Sequence, residues 1–183
     1  AWIGIALLSV SALGIASRPA GATTVAGMTT TAQSVFADRI FVGTVTAVSS
    51  RPKTSTPKYF ETVATFTLED AVAGDLPLTI ELTFSGGEVG GIRQRVDGMP
   101  ELAVGERYVV MLEPDEEPRL TSPFVGFNQG LFRVVGESRA SAVVRDRTGK
   151  SLAADALPAG ARAGSGDPTL DAFLATLRAA RSR

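Results

Sequence analysis

The glycine run SGGEVGG at residues 85–91 is the first stretch of this chain that suggests chemistry. Glycine-rich loops bind phosphates when they open a helix, because the helix N-terminus then points its N–H groups at the anion. Here no lysine follows the run, Glu88 would repel an anion, and the next residues, IRQRV, are typical of a strand. The pattern therefore predicts a corner or bulge of a bent sheet and disfavours a nucleotide site. Its structural glycines are Gly86, Gly87, Gly90 and Gly91.

The chain contains no cysteine and no histidine. A thiol nucleophile, an imidazole base and a zinc site with nitrogen or sulfur ligands are therefore excluded. No G-x-S-x-G motif presents a serine, and a serine–lysine pair would have to use Lys53, Lys58 or Lys150, which all lie in loop-like sequence. We expect a protein that is not an enzyme and needs no cofactor or metal, with a hydrolase that uses carboxylates or a serine–lysine pair as an alternative.

The start of the chain is typical of an export signal. Residues 1–16, AWIGIALLSVSALGIA, carry no charge and are followed by Ala20-Gly21-Ala22, an A-x-A cleavage site. The rival interpretation, an uncleaved membrane anchor, normally needs about 20 apolar residues. We expect residues 1–22 to be a signal peptide, truncated at its start, and the mature protein from Thr23 onward to be secreted or periplasmic and free of the membrane.

The charge balance argues against nucleic acid as a ligand. The 183 residues include 18 basic and 19 acidic side chains, and aromatic residues make up 7%. Nucleic-acid binding favours a basic groove interleaved with aromatic side chains. We therefore expect no nucleic-acid partner.

Seven segments have the alternation of β-strands, and no long helix separates them. LTIELTF, for example, places Leu78, Ile80, Leu82 and Phe84 on one face, and a bulge or close backbone approach suits Gly43. The spacing predicts an antiparallel barrel or sandwich over residues 23–146. The segments are 40–48, 60–68, 78–84, 91–96, 106–112, 130–136 and 141–146.

Two helices are predicted outside the strands. A short one near the start has Thr29 or Thr30 as its N-cap, with Val35 and Phe36 facing the core. Residues 147–166 are rich in Ala, Gly, Ser and Asp, which indicates a linker. Residues 167–183 predict a C-terminal amphipathic helix that docks on the sheet, a partner-binding helix being the alternative. Asp167 would cap it, Pro168 would open it, and its apolar stripe is Leu170, Phe173, Leu174 and Leu177.

The segments ADRIFVGTV, SGGEVGG, VGERYVVML and FNQGLFRVV, in this order, resemble a family of small exported bacterial proteins of unknown activity. That family is similar to the netrin-like OB barrels typified by the tissue inhibitors of metalloproteinases. The resemblance covers about residues 22–144 and implies an all-β, OB-like barrel with a short N-terminal helix and a C-terminal helix. It also implies a secreted matrixin-type zinc protease as a possible partner.

In those inhibitors the mature amino terminus enters the protease cleft and binds the catalytic zinc. The resemblance places Thr23, Thr24 and Val25 in that role. The inhibitors begin with a disulfide-bonded cysteine, which this chain lacks. The sequence thus predicts a non-catalytic binding module that inhibits or regulates a metalloprotease, and the alternative is a cell-envelope structural or adhesion module that binds glycan or protein.

Overall fold

The computed structural model describes residues 26–115, 122–152, 157 and 166–182 of the chain. Eight strands and two helices form in this part, and all strand pairs are antiparallel. The elements are α1 Thr30–Phe36, β1 Arg39–Pro52, β2 Phe60–Ala73, β3 Thr79–Ser85, β4 Gly87–Val89, β5 Ile92–Gln94, β6 Arg107–Leu112, β7 Leu131–Val135, β8 Val143–Asp146 and α2 Leu170–Arg181.

Six strands make one sheet in the order β3-β2-β1-β6-β7-β8, and β4 with β5 makes a separate two-stranded sheet. The large sheet is open in the described part of the chain, with β3 and β8 as its edges. The long strands β1 and β2 change register at three places, one of them between Val42 and Gly43, where the bulge was expected. Bulges bend a strand and increase its twist, so we expect β1 and β2 to bend at these places.

Both faces of the sheet are buried, because successive side chains of a strand point to opposite faces. On β6, Val109 and Met111 belong to one core cluster, while Tyr108, Val110 and Leu112 belong to the other. The predicted strand 106–112 therefore forms as β6 and is buried on both faces. Helix α2 covers the first cluster. The second lies on the opposite face, where β2, β3 and the segment around Phe124 contribute to it.

Helix α2 docks on the sheet with the predicted stripe, since Leu170, Phe173, Leu174 and Leu177 are all fully buried. The predicted cap is wrong. Thr169 is the N-cap, and its hydroxyl accepts a hydrogen bond from Ala172 N–H. Asp167 instead pairs with Arg145 at 2.8 Å, and Pro168 lies before the cap, where its carbonyl accepts from Val144 N–H. The sheet edge β8 therefore fixes where the helix begins.

Helix α1 begins at the predicted cap Thr29 but presents a different face. Its buried residues are Thr30, Gln33 and Ser34, whereas Val35 and Phe36 are more than half exposed. The expectation that these two apolar residues face the core is wrong, because α1 packs against α2. There Arg181 donates hydrogen bonds of 2.6 Å to the carbonyls of Ser34 and Ala37 at the end of α1.

Two further expectations concern single segments. Ile80, Leu82 and Phe84 are buried as predicted, but Leu78 is 78% exposed because it precedes the first residue of β3. Of the expected linker, residues 153–156 and 158–165 lie outside the described residues, while Leu157 is buried in the first core cluster. The expected signal peptide, residues 1–22, also lies outside the described part.

Candidate functional site: the glycine hairpin, the 122–130 loop and the edge groove

The glycine run forms a β-hairpin and its connection to the large sheet. Gly86 and Gly87 have φ values of 104° and 136° where the chain leaves β3, and β4 begins at Gly87. Gly90 and Gly91 are the two-residue turn between β4 and β5, with φ of 58° and 79°. Positive φ at both central residues is typical of a type I′ hairpin turn. The strand β4 inside the run was not predicted, and the residues after it continue as strand β5.

Gly87 brings the hairpin against the ends of β1 and β2. A Cβ at this position would lie 2.5 Å from Ser50 Oγ and 3.1 Å from Thr62 Oγ1. Thr62 Oγ1 itself donates to the carbonyl of Gly86 at 2.9 Å. The hairpin can therefore pack closely against the large sheet because Gly87 has no side chain.

The space beneath the hairpin is a groove of about 340 Å³. Apolar side chains including Phe84, Val96 and Met99 line it together with charged ones at its rim, where Arg93 pairs with Glu101 at 3.1 Å. We call it the hairpin groove. A mixed apolar and polar wall of this kind suits a peptide or glycan better than a single ion.

The segment 122–130, SPFVGFNQG, contains a backbone conformation that a residue with a side chain rarely adopts. Phe127 has φ of 72°, the one positive value at a non-glycine residue among the described residues. Its conformation is fixed by hydrogen bonds: Ser122 Oγ donates to the Phe127 carbonyl, and the Asn128 amide donates to the carbonyl of Gly98. Strained backbone that the surroundings hold in place is concentrated at functional sites.

Gln129, at the end of this loop, binds the segment that precedes α1. Its side-chain nitrogen donates to the Ala26 carbonyl at 2.9 Å, and its side-chain oxygen accepts from Met28 N–H at 2.8 Å. Gln33 adds a bond of 2.9 Å to the Met28 carbonyl. One amide side chain thus makes a two-point attachment, which we call the Gln129 clamp, between residues about a hundred positions apart.

The three residues with a predicted zinc-binding role, Thr23, Thr24 and Val25, lie outside the described residues. The clamp holds the residues that directly follow them, Ala26 to Met28. FNQG was part of the family resemblance, but nothing in the sequence identified Gln129 as the residue that bonds to this segment.

A second groove, of about 390 Å³, runs along β3. Residues 80–85 of β3 line one side, and Arg39, Asp115 and Ser122 lie among the other lining residues. We call it the edge groove. At its end near Ser85, Lys53 Nζ lies 3.0 Å from Ser85 Oγ.

The Lys53–Ser85 pair is the one serine–lysine contact that side-chain hydrogen bonds record among the described residues. Lys53 Nζ is the donor of this hydrogen bond and Ser85 Oγ is the acceptor. Three carboxylates, Glu61, Glu81 and Asp115, line the same groove. Of the other lysines, Lys58 lies over the Tyr59 ring at 5.0 Å, and Lys150 is exposed.

A charge cluster joins β1, β2 and β6 through Thr44, Glu69 and Arg107. Arg107 Nη2 lies 2.7 Å from Glu69 Oε2, and Thr44 Oγ1 donates to Glu69 Oε1 at 2.5 Å. Burial acts to raise the pKa of Glu69, but the hydrogen bonds from Arg107 and Thr44 outweigh it and lower the pKa. The ionised carboxylate therefore stabilises the folded state.

We expect Glu69→Gln to cost about 1 kcal/mol of unfolding free energy at pH 7 and almost nothing near pH 2.5. The folded-state pKa lies below the unfolded value of about 4.3, so this stabilisation is present above that value and disappears as the pH falls through the folded pKa. Urea unfolding at both pH values measures the difference. Glu88→Gln, which removes an exposed carboxylate, is the control. An equal cost at both pH values would contradict the assignment.

No group of three or more acidic, histidine or cysteine side chains that could hold a metal ion is found among the described residues. Within the same residues, no helix is long and apolar enough to span a bilayer. Comparison with protein families, curated proteins and solved structures found no match to this chain.

Proposed function

We propose that this chain is a secreted or periplasmic, non-catalytic binding module with an OB-like barrel, and that it inhibits or regulates an extracellular zinc metalloprotease of the matrixin type. The observation that supports the proposal is the Gln129 clamp on Ala26 and Met28. It holds the residues that directly follow the segment Thr23–Val25 in the sequence.

The clamp addresses the main difficulty of the family resemblance. The inhibitors of that family hold their amino terminus by disulfide bonds, and this chain has no cysteine. Ordering a free terminus at binding costs free energy. Two hydrogen bonds from one side chain, set in a loop with fixed strained backbone, reduce that cost without a covalent bond.

In the proposed mechanism, the α-amine and carbonyl of Thr23 bind the protease's catalytic zinc at the position that a catalytic site leaves open. Thr24 and Val25 then occupy the cleft beside it. The chain's own contribution is to hold Ala26 and Met28, the residues that follow this segment in the sequence, through Gln129.

We expect Gln129→Ala to weaken inhibition of a matrixin-type protease by roughly ten- to a hundredfold, since two net hydrogen bonds contribute about 1 kcal/mol each. The measurement is the inhibition constant of the mature chain, residues 23–183, titrated to micromolar concentration. Lys150→Ala, an exposed substitution remote in sequence from the clamp, is the matched control. Near-ultraviolet circular dichroism verifies that both variants fold.

A form with one residue added before Thr23 tests the zinc contact separately, because it displaces the α-amine without touching the clamp. It should not inhibit, and equal inhibition by this form would rule out zinc binding by the terminus. If the mature chain neither inhibits nor co-purifies with the protease, the regulator proposal fails. The alternative, a cell-envelope module that binds glycan or protein, would then be tested at the hairpin groove.

A further inference from the structure

Strand β3 is an edge of the large sheet, and every second residue along it has backbone groups that point away from β2. Leu68 N–H donates to the Leu78 carbonyl, and Gly86 N–H donates to the Phe60 carbonyl. Both bonds join residues that lie directly opposite each other, so the even-numbered residues of β3 form the hydrogen-bonded pairs with β2. Hydrogen-bonded and non-bonded pairs alternate in an antiparallel ladder. The N–H and C=O groups of Glu81, Thr83 and Ser85 therefore point away from β2.

The residues that carry these outward groups are among those that line the edge groove. No partner for the backbone of Glu81 or Thr83 is found within the described residues. Free sheet edges invite pairing with another strand, and proteins commonly prevent it with lysine, proline or a bulge. The sequence of β3, TIELTFS, contains neither residue, and its register with β2 has no shift.

Two charged side chains along this edge make no salt bridge among the described residues. They are Glu81, whose charge acts on Arg51 from beyond ion-pair distance, and Lys53, which bonds Ser85 Oγ. Arg39 and Arg51 are paired with Asp115 and Glu61, at 2.6 and 2.8 Å. Lys53 marks the Ser85 end of the edge, since its Nζ bonds Ser85 Oγ. One negative and one positive charge are thus separated by four residues of strand, about 13 Å.

We propose that β3 pairs with β3 of a second copy of this chain, antiparallel about Thr83, and joins the two sheets into one. This register places Thr83 opposite Thr83 and Glu81 opposite Ser85 of the second copy. Residues opposite each other in such a pair share a face, with Cα atoms about 5.5 Å apart. Each Glu81 then meets the Lys53 ammonium that lies beside the opposite Ser85.

The interface is self-complementary, as an interface with two-fold symmetry requires. The same two charges pair twice, and the outward backbone groups of Glu81, Thr83 and Ser85 bond to those of the other copy. A peptide from another protein would need a cation and an anion at this same spacing. A second copy of the chain has both charges at this spacing because its sequence is identical, and it is therefore the favoured occupant.

The test is the oligomeric state of residues 23–183, which include every described residue, by sedimentation equilibrium from 1 to 200 µM. We expect a reversible dimer. Glu81→Lys and Lys53→Glu should each raise the dissociation constant at least tenfold, and the double variant should restore dimerisation because the charges are exchanged. Glu88→Lys makes the same charge change in the hairpin and should leave the dimer intact.

Thr83→Pro tests the backbone contact, because it removes an N–H that points away from β2 and so spares the fold. It should give a folded monomer. The proposal is overturned if the wild-type chain stays monomeric to 200 µM, or if its dimer survives both Glu81→Lys and Thr83→Pro. A monomer that binds extended peptides along β3 would also overturn it and assign the edge to a different partner.

Discussion

Replacing Phe173 by alanine should lower the free energy of unfolding by about 3–5 kcal/mol. The Phe173 side chain is fully buried between α2 and the sheet, and its ring centroid lies 5.1 Å from that of Phe132 on β7. Truncation removes the buried ring and leaves a cavity in the first core cluster. Since domains of this kind are stable by about 5–15 kcal/mol, a large part of the stability would be lost.

Urea unfolding followed by circular dichroism measures this effect, with the slope of the transition as a check on two-state behaviour. Leu78→Ala is the matched control, because Leu78 is also a large apolar residue but is 78% exposed. Its expected cost is within about 0.5 kcal/mol. A loss below about 1 kcal/mol for Phe173→Ala would mean that α2 is not docked in solution and would favour a partner-binding helix.

Gly87→Ala should cost roughly 2–6 kcal/mol, from two independent causes. The φ of 136° is one that residues with a side chain rarely adopt, and such strain costs about 1–3 kcal/mol. The new methyl group would also lie 2.5 Å from Ser50 Oγ and 2.8 Å from Ser50 Cβ, and overpacking typically adds about 1–3 kcal/mol.

Gly90→Ala separates the two causes. Gly90 has φ of 58°, but a Cβ there would meet nothing within 4 Å, so only the left-handed backbone is penalised, by about 1–2 kcal/mol. Adding Ser50→Gly to Gly87→Ala should recover the part due to the clash. If Gly87→Ala and Gly90→Ala had equal effects on the urea midpoint, the close packing of the hairpin on β1 would be wrong.

The strands illustrate how much local pattern decides. Every predicted strand forms, because an alternation such as that of Ile80, Leu82 and Phe84 has one face that must be buried. The stripe of α2 was predictable for the same reason at helical spacing. The wrong prediction concerns an element with few residues. Val35 and Phe36 occur in a helix of seven residues, and its contact with α2 determined which face it buries.

The sequence predicted part of the structure of the glycine run. Its composition indicated a corner of the sheet rather than a phosphate loop, and the positive φ values agree with that use of glycine. Its division into an exit from β3, a short strand and a two-residue turn was not predictable. That division depends on how closely β4 approaches Ser50 and Thr62, which are far away in the sequence.

By itself the sequence determined the β-rich class, seven of the eight described strands, the docking stripe of α2 and the absence of cysteine and histidine chemistry. Each of these depends on residue type or on spacing within one segment. Only the tertiary structure decided the Gln129 clamp, the Lys53–Ser85 contact and the open edge of β3. The clamp joins Gln129 to a residue 101 positions away, and the lysine–serine contact joins residues 32 positions apart. Such contacts, and the position of β3 at the edge, depend on strand order and register, which no local pattern contains.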